Sequence, residues 1–233
     1  MRVDFHCHIL PGIDDGSSCV EESIELLAMQ KSQGIETVAA TPHFNAERRS
    51  PREFIEKRQA AYESLKQAGP LPIEDIRLGA EVRYYSGISR MSGLEELRLE
   101  GTKLLLLEMT FTPWTDYMER ELCELSCSGD IILMLAHIER FFKYMRRNTL
   151  EELLSQGILM QTNTGFFVER KTCRKALRML RDGMIHAVGT DCHNTVTRPP
   201  DYDLFEKAVT KKFGSGFFED FAVSSASLLE DNI

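Results

Sequence analysis

Two short motifs near opposite ends of the chain carry residues that can do metal chemistry. Val3-Asp4-Phe5-His6-Cys7-His8 ends in a histidine pair at spacing two, and Gly189-Thr190-Asp191-Cys192-His193 repeats that spacing with an aspartate in the first place. Successive strand side chains point to opposite faces, so each pair presents both polar groups on one face and its cysteine on the other. Two such pairs can converge on a metal ion, since imidazole and carboxylate are both ligands. His43 and His137 also follow short apolar runs where a strand should end, whereas His186 stands at a strand's start and reads as structural.

Seven strands must position these groups: Arg2 to Phe5, Thr37 to Ala40, Arg77 to Ala80, Lys103 to Leu107, Ile131 to Leu135, Ile158 to Gln161 and His186 to Gly189. Their residues are continuously apolar more often than alternating, as expected of strands covered on both faces. Between them lie helical repeats such as Val20, Ile24 and Leu27, or Leu150, Leu153 and Leu154. Ser18 with Glu21 is the spacing of a capping box, and Gly34, Gly69, Gly157 and Gly183 each close a helical stretch. Phe205 to Leu229 reads as terminal helices on the outside, with the last residues frayed. Alternating strands and helices over 233 residues predict an α/β fold, a parallel (β/α)7 TIM-like barrel forming one domain over residues 1–233.

Nearly every strand in this reading delivers a polar group at its C-terminal end, the face where such barrels build their sites. His6, His8, His43, Glu81, Glu108, His137, Asp191 and His193 stand there, joined by Asp15 from the Gly12-Ile13-Asp14-Asp15-Gly16 turn. Five imidazoles and four carboxylates exceed what one catalytic ion takes, so a cluster of two or three metals is expected. Glu81 is the natural bridge between ions.

Composition narrows the partners. A formal charge of −8 and a pI near 5.4 argue against a general grip on nucleic acid or on an anionic membrane. The apolar runs at Leu104 to Leu107 and Ile131 to Leu135 are too short to span a bilayer, and no secretory n- and h-region precedes the first motif. The chain reads as cytoplasmic, and its six cysteines as free thiols.

The segments Asp4 to Gly16, Ala40 to Phe44, Gly79 to Arg83, Leu107-Glu108, Ala136 to Phe141, Gln161 to Gly165 and Thr190 to Asn194 closely resemble the PHP-type tyrosine-protein phosphatases of bacterial capsule and exopolysaccharide loci, the CpsB/CapC group. The likeness runs in order along almost the whole chain; Ile138 and Phe141 stand where proline and tyrosine are frequent. The Asp-Asp-Gly turn and Glu108 point to this branch rather than to histidinol-phosphate phosphatases or polymerase-linked PHP domains. The resemblance implies a distorted barrel of the PHP type and three divalent ions: one on His6, His8, Glu81 and Asp191, one on Glu81, Glu108 and His137, one on Asp15, His43 and His193. It favours manganese, with iron or zinc as substitutes. It implies hydrolysis of phosphotyrosine by a metal-activated water, on the C-terminal tail of a capsule tyrosine kinase. A small-molecule phosphomonoesterase, a phosphodiesterase and a non-catalytic kinase-binding regulator are the alternatives.

For such a reaction Arg140 and Arg198, on loops after His137 and His193, are candidates to bind phosphate through their guanidinium forks. Phe44, Tyr84, Tyr85, Phe111 and Trp114 are candidates for an aromatic slot. Cys192 to Arg198 also satisfies C-x5-R, the signature of thiolate phosphatases. That loop lacks a glycine, and strand alternation turns Cys192 away from Asp191 and His193, so a cysteine nucleophile is not expected.

Overall fold

In the computed structural model, which describes residues 1–230, the continuous apolar runs become parallel strands buried on both sides. The fraying expected of the last residues falls outside that range. The strands are β1 (Val3–Cys7), β2 (Thr37–Ala40), β3 (His43–Phe44), β4 (Asp75–Leu78), β5 (Glu81–Arg83), β6 (Leu104–Glu108), β7 (Ile132–Leu135), β8 (Leu159–Asn163) and β9 (Ala187–Gly189). One ladder runs β1-β2-β4 and another β3-β5-β6-β7-β8-β9, all pairs parallel. A bridge between Cys7 and Cys192, with Asp191 N donating to His6 O at 2.7 Å and His8 N to Cys192 O at 2.9 Å, returns the second ladder to β1. The result is a distorted seven-position barrel.

Nine strands fill seven positions because two positions are broken. Pro42, which has no N–H for a ladder, separates β2 from β3, and Gly79-Ala80 separates β4 from β5. The breaks are hydrogen-bonded across: Gly79 N donates to Ala40 O, Glu81 N to Pro42 O, and the buried guanidinium of Arg58 to Gly79 O. The expected strand Arg77 to Ala80 therefore ends at Leu78. Glu81 opens a new strand beside His43 instead of following the old one as a loop residue.

A bulge in β1 decides where the histidine pair points. The register passes from Asp4↔Val38 to Cys7↔Ala40, one residue more on β1 than on β2. Val3 and Phe5 consequently pack in the inner cluster with Leu104, Leu106, Met134 and Ala187, and His6 and His8 still turn toward Glu81 and Asp191 above it. Without the extra residue, inward Val3 and Phe5 would turn both histidines outward.

Eight helices surround the ring: α1 (Val20–Ser32), α2 (Pro51–Gln67), α3 (Asp116–Ser126), α4 (Thr149–Ser155), α5 (Gly165–Val168), α6 (Cys173–Arg181), α7 (Tyr202–Phe213) and α8 (Ser215–Ala226). The capping box expected of Ser18 and Glu21 does not form: α1 starts after Cys19 with no side-chain cap, and the Ser18 N–H and hydroxyl both donate to Glu22 at 2.8 Å. Gly34 and Gly183 adopt the left-handed backbone expected just past α1 and α6. α7 and α8 pack outside the barrel, tied to its first strand by the fork of Arg2 on Glu206.

Candidate metal centre

All nine candidate donors meet at the C-terminal mouth of the barrel. The histidines are presented in a way that leaves lone pairs facing one another. His8 Nδ1 donates to Asp14 at 2.8 Å, His193 Nδ1 to the Asp191 carbonyl at 2.9 Å, and His6 Nδ1 to Gln161 Oε1 at 3.4 Å. Each bond fixes the tautomer and leaves Nε2 as the free nitrogen, as outer partners do for ligating histidines. His6 Nε2 and His8 Nε2 stand 3.1 Å apart. Glu81 Oε2 lies 3.3 Å from the first and 3.4 Å from the second, and Asp191 Oδ1 lies 3.7 and 3.4 Å from them.

The remaining donors extend this cluster across the mouth. His43 Nδ1 is 2.8 Å from Glu81 Oε2, and its Nε2 is 3.4 Å from Asp15 Oδ1, which lies 3.7 Å from His193 Nε2. His137 Nε2 approaches Glu81 Oε1 at 2.7 Å and Glu108 Oε1 at 3.7 Å. Three sets drawn from these nine donors place their ligand atoms within 4.8 Å of one another: His8, Asp15, His43 and His193; His6, His8 and Glu81; His43, Glu81 and Glu108. Glu81 belongs to two of them, the position a bridging carboxylate requires.

Two observations fit this donor set to cations. Glu81 Oε2, His137 Nδ1 and His193 Nε2 are buried without a hydrogen-bond partner, although ring nitrogens crowd Glu81 Oε2. Such atoms are costly unless something else satisfies them. The electrostatics agree. Burial opposes charging of His6 and His8, yet Glu81 and Asp191 beside the first, and Asp14, Asp191 and Glu81 beside the second, hold both rings above the ordinary imidazole value. Burial likewise opposes ionisation of Glu81 and Asp191, yet the histidines keep both carboxyls well below theirs. Burial and the neighbouring Glu81 raise Glu108, and burial with His8 alongside lowers His193 to about 4. Buried carboxylates that stay ionised and rings drawn toward protonation mark a place that concentrates positive charge.

Several positioning residues escaped the sequence analysis. Asp14 reads there as a turn residue beside Asp15. Its carboxylate takes His8 Nδ1, the His43 N–H and the Gly16 N–H, so it orients two of the histidines. Gln161 Oε1 receives both His6 Nδ1 and the His137 N–H. Asp4 is fully buried and gathers the N–H and hydroxyl of Thr190, the His6 N–H and Gln30 Nε2. The signal for each was a polar residue inside an apolar strand or turn, with nothing to say which neighbour it served.

Glycine at 189 is a steric requirement of the same packing. A Cβ there would lie 2.5 Å from His6 Cβ and 2.7 Å from His6 N, and the backbone of β1 cannot withdraw. Gly189→Ala is expected to cost about 1–3 kcal/mol, the usual penalty for overpacking, and to lower Tm and bound metal together. An unchanged melting temperature and metal content would show that β1 tolerates the shift.

Asp191 and His137 are the only non-glycine residues with left-handed backbone among the described residues, at φ 52° and 30°. Such strain gathers at sites that the surroundings over-determine. It also changes why Cys192 is turned away: β9 has ended at Gly189, so simple alternation no longer operates. Cys192 is instead fully buried beside Cys7, with its sulfur 3.9 Å from Gln30 Nε2 on the α1 side. It does not line the cavity, whereas Arg198 does. Cys192→Ser is expected to keep most turnover of a phosphoester; a dead variant with its metals intact would reinstate the thiolate reading.

The two arginines flank one carboxylate. Arg198 Nη2 is 2.8 Å and Arg140 Nη1 4.0 Å from Asp191 Oδ2, which also accepts Asn163 Nδ2 at 2.8 Å. The guanidinium of Arg140 lies 5.0 Å over the Phe111 ring, which is 46% exposed and, like Tyr85, outside the cavity lining. The wider aromatic slot does not form. Tyr84 is buried with its hydroxyl donating to Glu121 at 2.6 Å, Trp114 is buried against Phe141, and Tyr85 lies outside the cavity lining. Phe44 reaches the cavity wall but is fully buried against Phe54.

The fold and site together are those of a parallel α/β barrel whose mouth is built from side chains able to bind several cations. Residues 2–229 match the family described as Capsular polysaccharide synthesis, CpsB/CapC, and the chain belongs to it. The chain is 32% identical over 225 residues to the tyrosine-protein phosphatase YwqE of Bacillus subtilis, covering 91% of this chain and 85% of YwqE. It is 28% identical over 229 residues to the tyrosine-protein phosphatase CpsB of Streptococcus pneumoniae, covering 91% of each. A crystal structure from the work on those two proteins, described as unique metal-dependent tyrosine phosphatases, superposes with a TM-score of 0.81 at 28% identity, over 99% of this chain and 96% of the other.

Proposed function

We propose that this chain is a metal-dependent protein-tyrosine phosphatase, with residues 1–233 acting as one PHP-type domain. The observation that carries the reading is the double use of Asp191. Its Oδ1 belongs to the donor cluster and its Oδ2 holds Arg198 and faces Arg140, so cation ligands and phosphate-matching forks meet at one spot. The cavity around them measures about 530 Å³ and opens at the barrel mouth. The relatives' activity on phosphotyrosine supports the choice of ester.

We assign three divalent ions to these donors: one to His6, His8, Glu81 and Asp191, one to Glu81, Glu108 and His137, one to Asp15, His43 and His193. Manganese is the proposed metal. Such ions supply a water acidified toward neutral pH and counter-charge for phosphoryl oxygens. The chain's own residues do the rest. Asp14, Gln161 and the Asp191 carbonyl hold the ring tautomers, and Arg140 and Arg198 present paired N–H donors to the phosphoryl group. Phe111 under Arg140 limits where that fork can go. A phenolate leaves with a pKa of about 10, so it needs little proton assistance.

The proposed substrate is the tyrosine-rich C-terminal tail of a capsule tyrosine kinase in the cytoplasm. No helix among the described residues is long and apolar enough to cross a membrane. The test is turnover of a phosphotyrosine peptide after chelation and again after Mn²⁺ is restored, beside histidinol phosphate and single-stranded DNA. Recovery confined to the peptide is expected. Activity indifferent to chelation, or faster turnover of either control, would overturn the assignment.

A further inference from the structure

We infer that Arg48, Arg49 and Arg83 form a second anion subsite, which binds an acidic group on the substrate chain close to the phosphotyrosine. This rests on the proposed phosphatase reading and adds a substrate preference to it.

Five arginines line the cavity, and they divide into two groups. Arg140 follows β7 and Arg198 follows β9, and both are engaged with Asp191. Arg48 and Arg49 follow β3, and Arg83 ends β5, so these three stand on neighbouring positions of the ring, across the mouth from the first two. Their placement is backbone-determined. His43 pairs with Glu81 and Phe44 with Val82, so Arg83 follows Glu81 on the same face two residues further out, about 7 Å along the strand. On the adjacent strand the chain turns after Asn45, whose carbonyl accepts the N–H groups of both Arg48 and Arg49 and folds them back beside the cavity.

None of the three guanidinium groups has an ion pair or a side-chain hydrogen bond among the described residues, whose salt bridges number every other cavity arginine. In a chain with 36 acidic and 28 basic residues, three adjacent cations without a carboxylate partner are out of keeping with the whole. Glu53, close to Arg49 in the chain, is committed to the Ser50 N–H and hydroxyl at the start of α2. The cavity's own carboxylates, Asp14, Asp15, Glu81, Glu108 and Asp191, all contact histidines. With Arg48 and Arg83 exposed and all three lining the cavity, these forks are open to an extended peptide leaving the phosphoryl position. An acidic group close in sequence to the phosphotyrosine would come within reach of these forks. Carboxylate and phosphate both match a guanidinium fork, so an aspartate, a glutamate or a second phosphotyrosine would each serve.

The experiment uses the full chain loaded with Mn²⁺ and three peptides: a phosphotyrosine flanked by neutral residues, the same with flanking glutamates, and the same with a second phosphotyrosine. Turnover is measured for each, and binding is measured with non-hydrolysable phosphonate versions. An acidic flank is expected to improve kcat/KM and binding by about tenfold at low salt, mainly through KM, and the gain is expected to shrink as salt rises. In the Arg48→Gln/Arg49→Gln/Arg83→Gln protein the ratio of acidic to neutral peptide should fall to near one. Turnover without a flank preference, or a preference that survives the triple substitution, would overturn the subsite and leave the phosphatase reading standing. Flank-dependent binding without turnover would do the reverse. The glutamate and second-phosphate arms separately show which anion is preferred.

Discussion

Asp191→Ala is expected to lower kcat/KM on a phosphotyrosine peptide by about 10³-fold or more, and to release metal as it does so. Loss of an outer partner of a metal ligand alone costs roughly 10–100-fold, and loss of a preorganised charge-stabilising donor roughly 10²–10³-fold. Asp191 touches both functions through two oxygens, as a proposed cation ligand and as the anchor of the donor Arg198. Its Oδ1 faces the ring nitrogens of His6 and His8, and its Oδ2 fixes Arg198 and receives Asn163. Arg198→Ala should cost less, and the double variant should cost about the same as Asp191→Ala alone, because an arginine whose anchor is gone has little left to lose. The check is steady-state kinetics with elemental analysis of each purified protein. An Asp191→Ala enzyme within tenfold of the parent, with its metal content unchanged, would remove this residue from the centre.

Much of this arrangement was legible because one-dimensional spacing and barrel topology constrain the same residues. His6 and His8, or Asp191 and His193, declare themselves by spacing two at strand ends, and a (β/α) barrel puts every strand end on one face. What spacing could not show is which face of β1 would be inside. That depends on one extra residue between Asp4 and Cys7, and a bulge has no composition of its own here. The two-residue strand β3 was likewise too short to stand out by periodicity, although Pro42 marks the break before it. For Cys192 the outcome expected from alternation holds, but its cause is the left-handed turn at Asp191 and the bridge to Cys7. The aromatic slot failed because ring-bearing residues near a motif are more often core: Trp114 and Tyr84 pack toward α3 and its neighbours. Arg48, Arg49 and Arg83 passed unnoticed for the opposite reason, since arginines in a charged run look like any solvated surface until a strand register sets them beside the donor cluster.

Removing the metal should destabilise the fold, and by more at higher pH. A ligand present at 100 times its Kd adds about 2.7 kcal/mol per site, and in a chain of this size 1 kcal/mol moves Tm by about 2–4 °C. Each tightly held ion is therefore expected to raise Tm by roughly 5–10 °C. Without cations, protons take their place. His6, His8 and His43 are held above the ordinary imidazole value, 6.5, by the carboxylates around them. A group raised on folding contributes stability that is complete below its unfolded value and is lost as pH rises through its folded one. Asp14, Glu81 and Asp191 are lowered, so their contribution is present above the ordinary carboxylate range and is lost only as pH falls beneath it. His193, lowered to about 4 by burial with His8 beside it, and His186, lowered by burial, oppose the other rings but are two against three. The chelated protein should accordingly lose stability from pH 6.5 upward. The Mn²⁺-loaded protein loses much less, because the cation needs those rings deprotonated. Thermal scans at pH 6 and pH 8.5, with chelator and with MnCl₂, measure the gap directly. A gap that stays constant or narrows with rising pH would mean that protons and cations do not compete for these histidines, and that the donor cluster is held by hydrogen bonds alone.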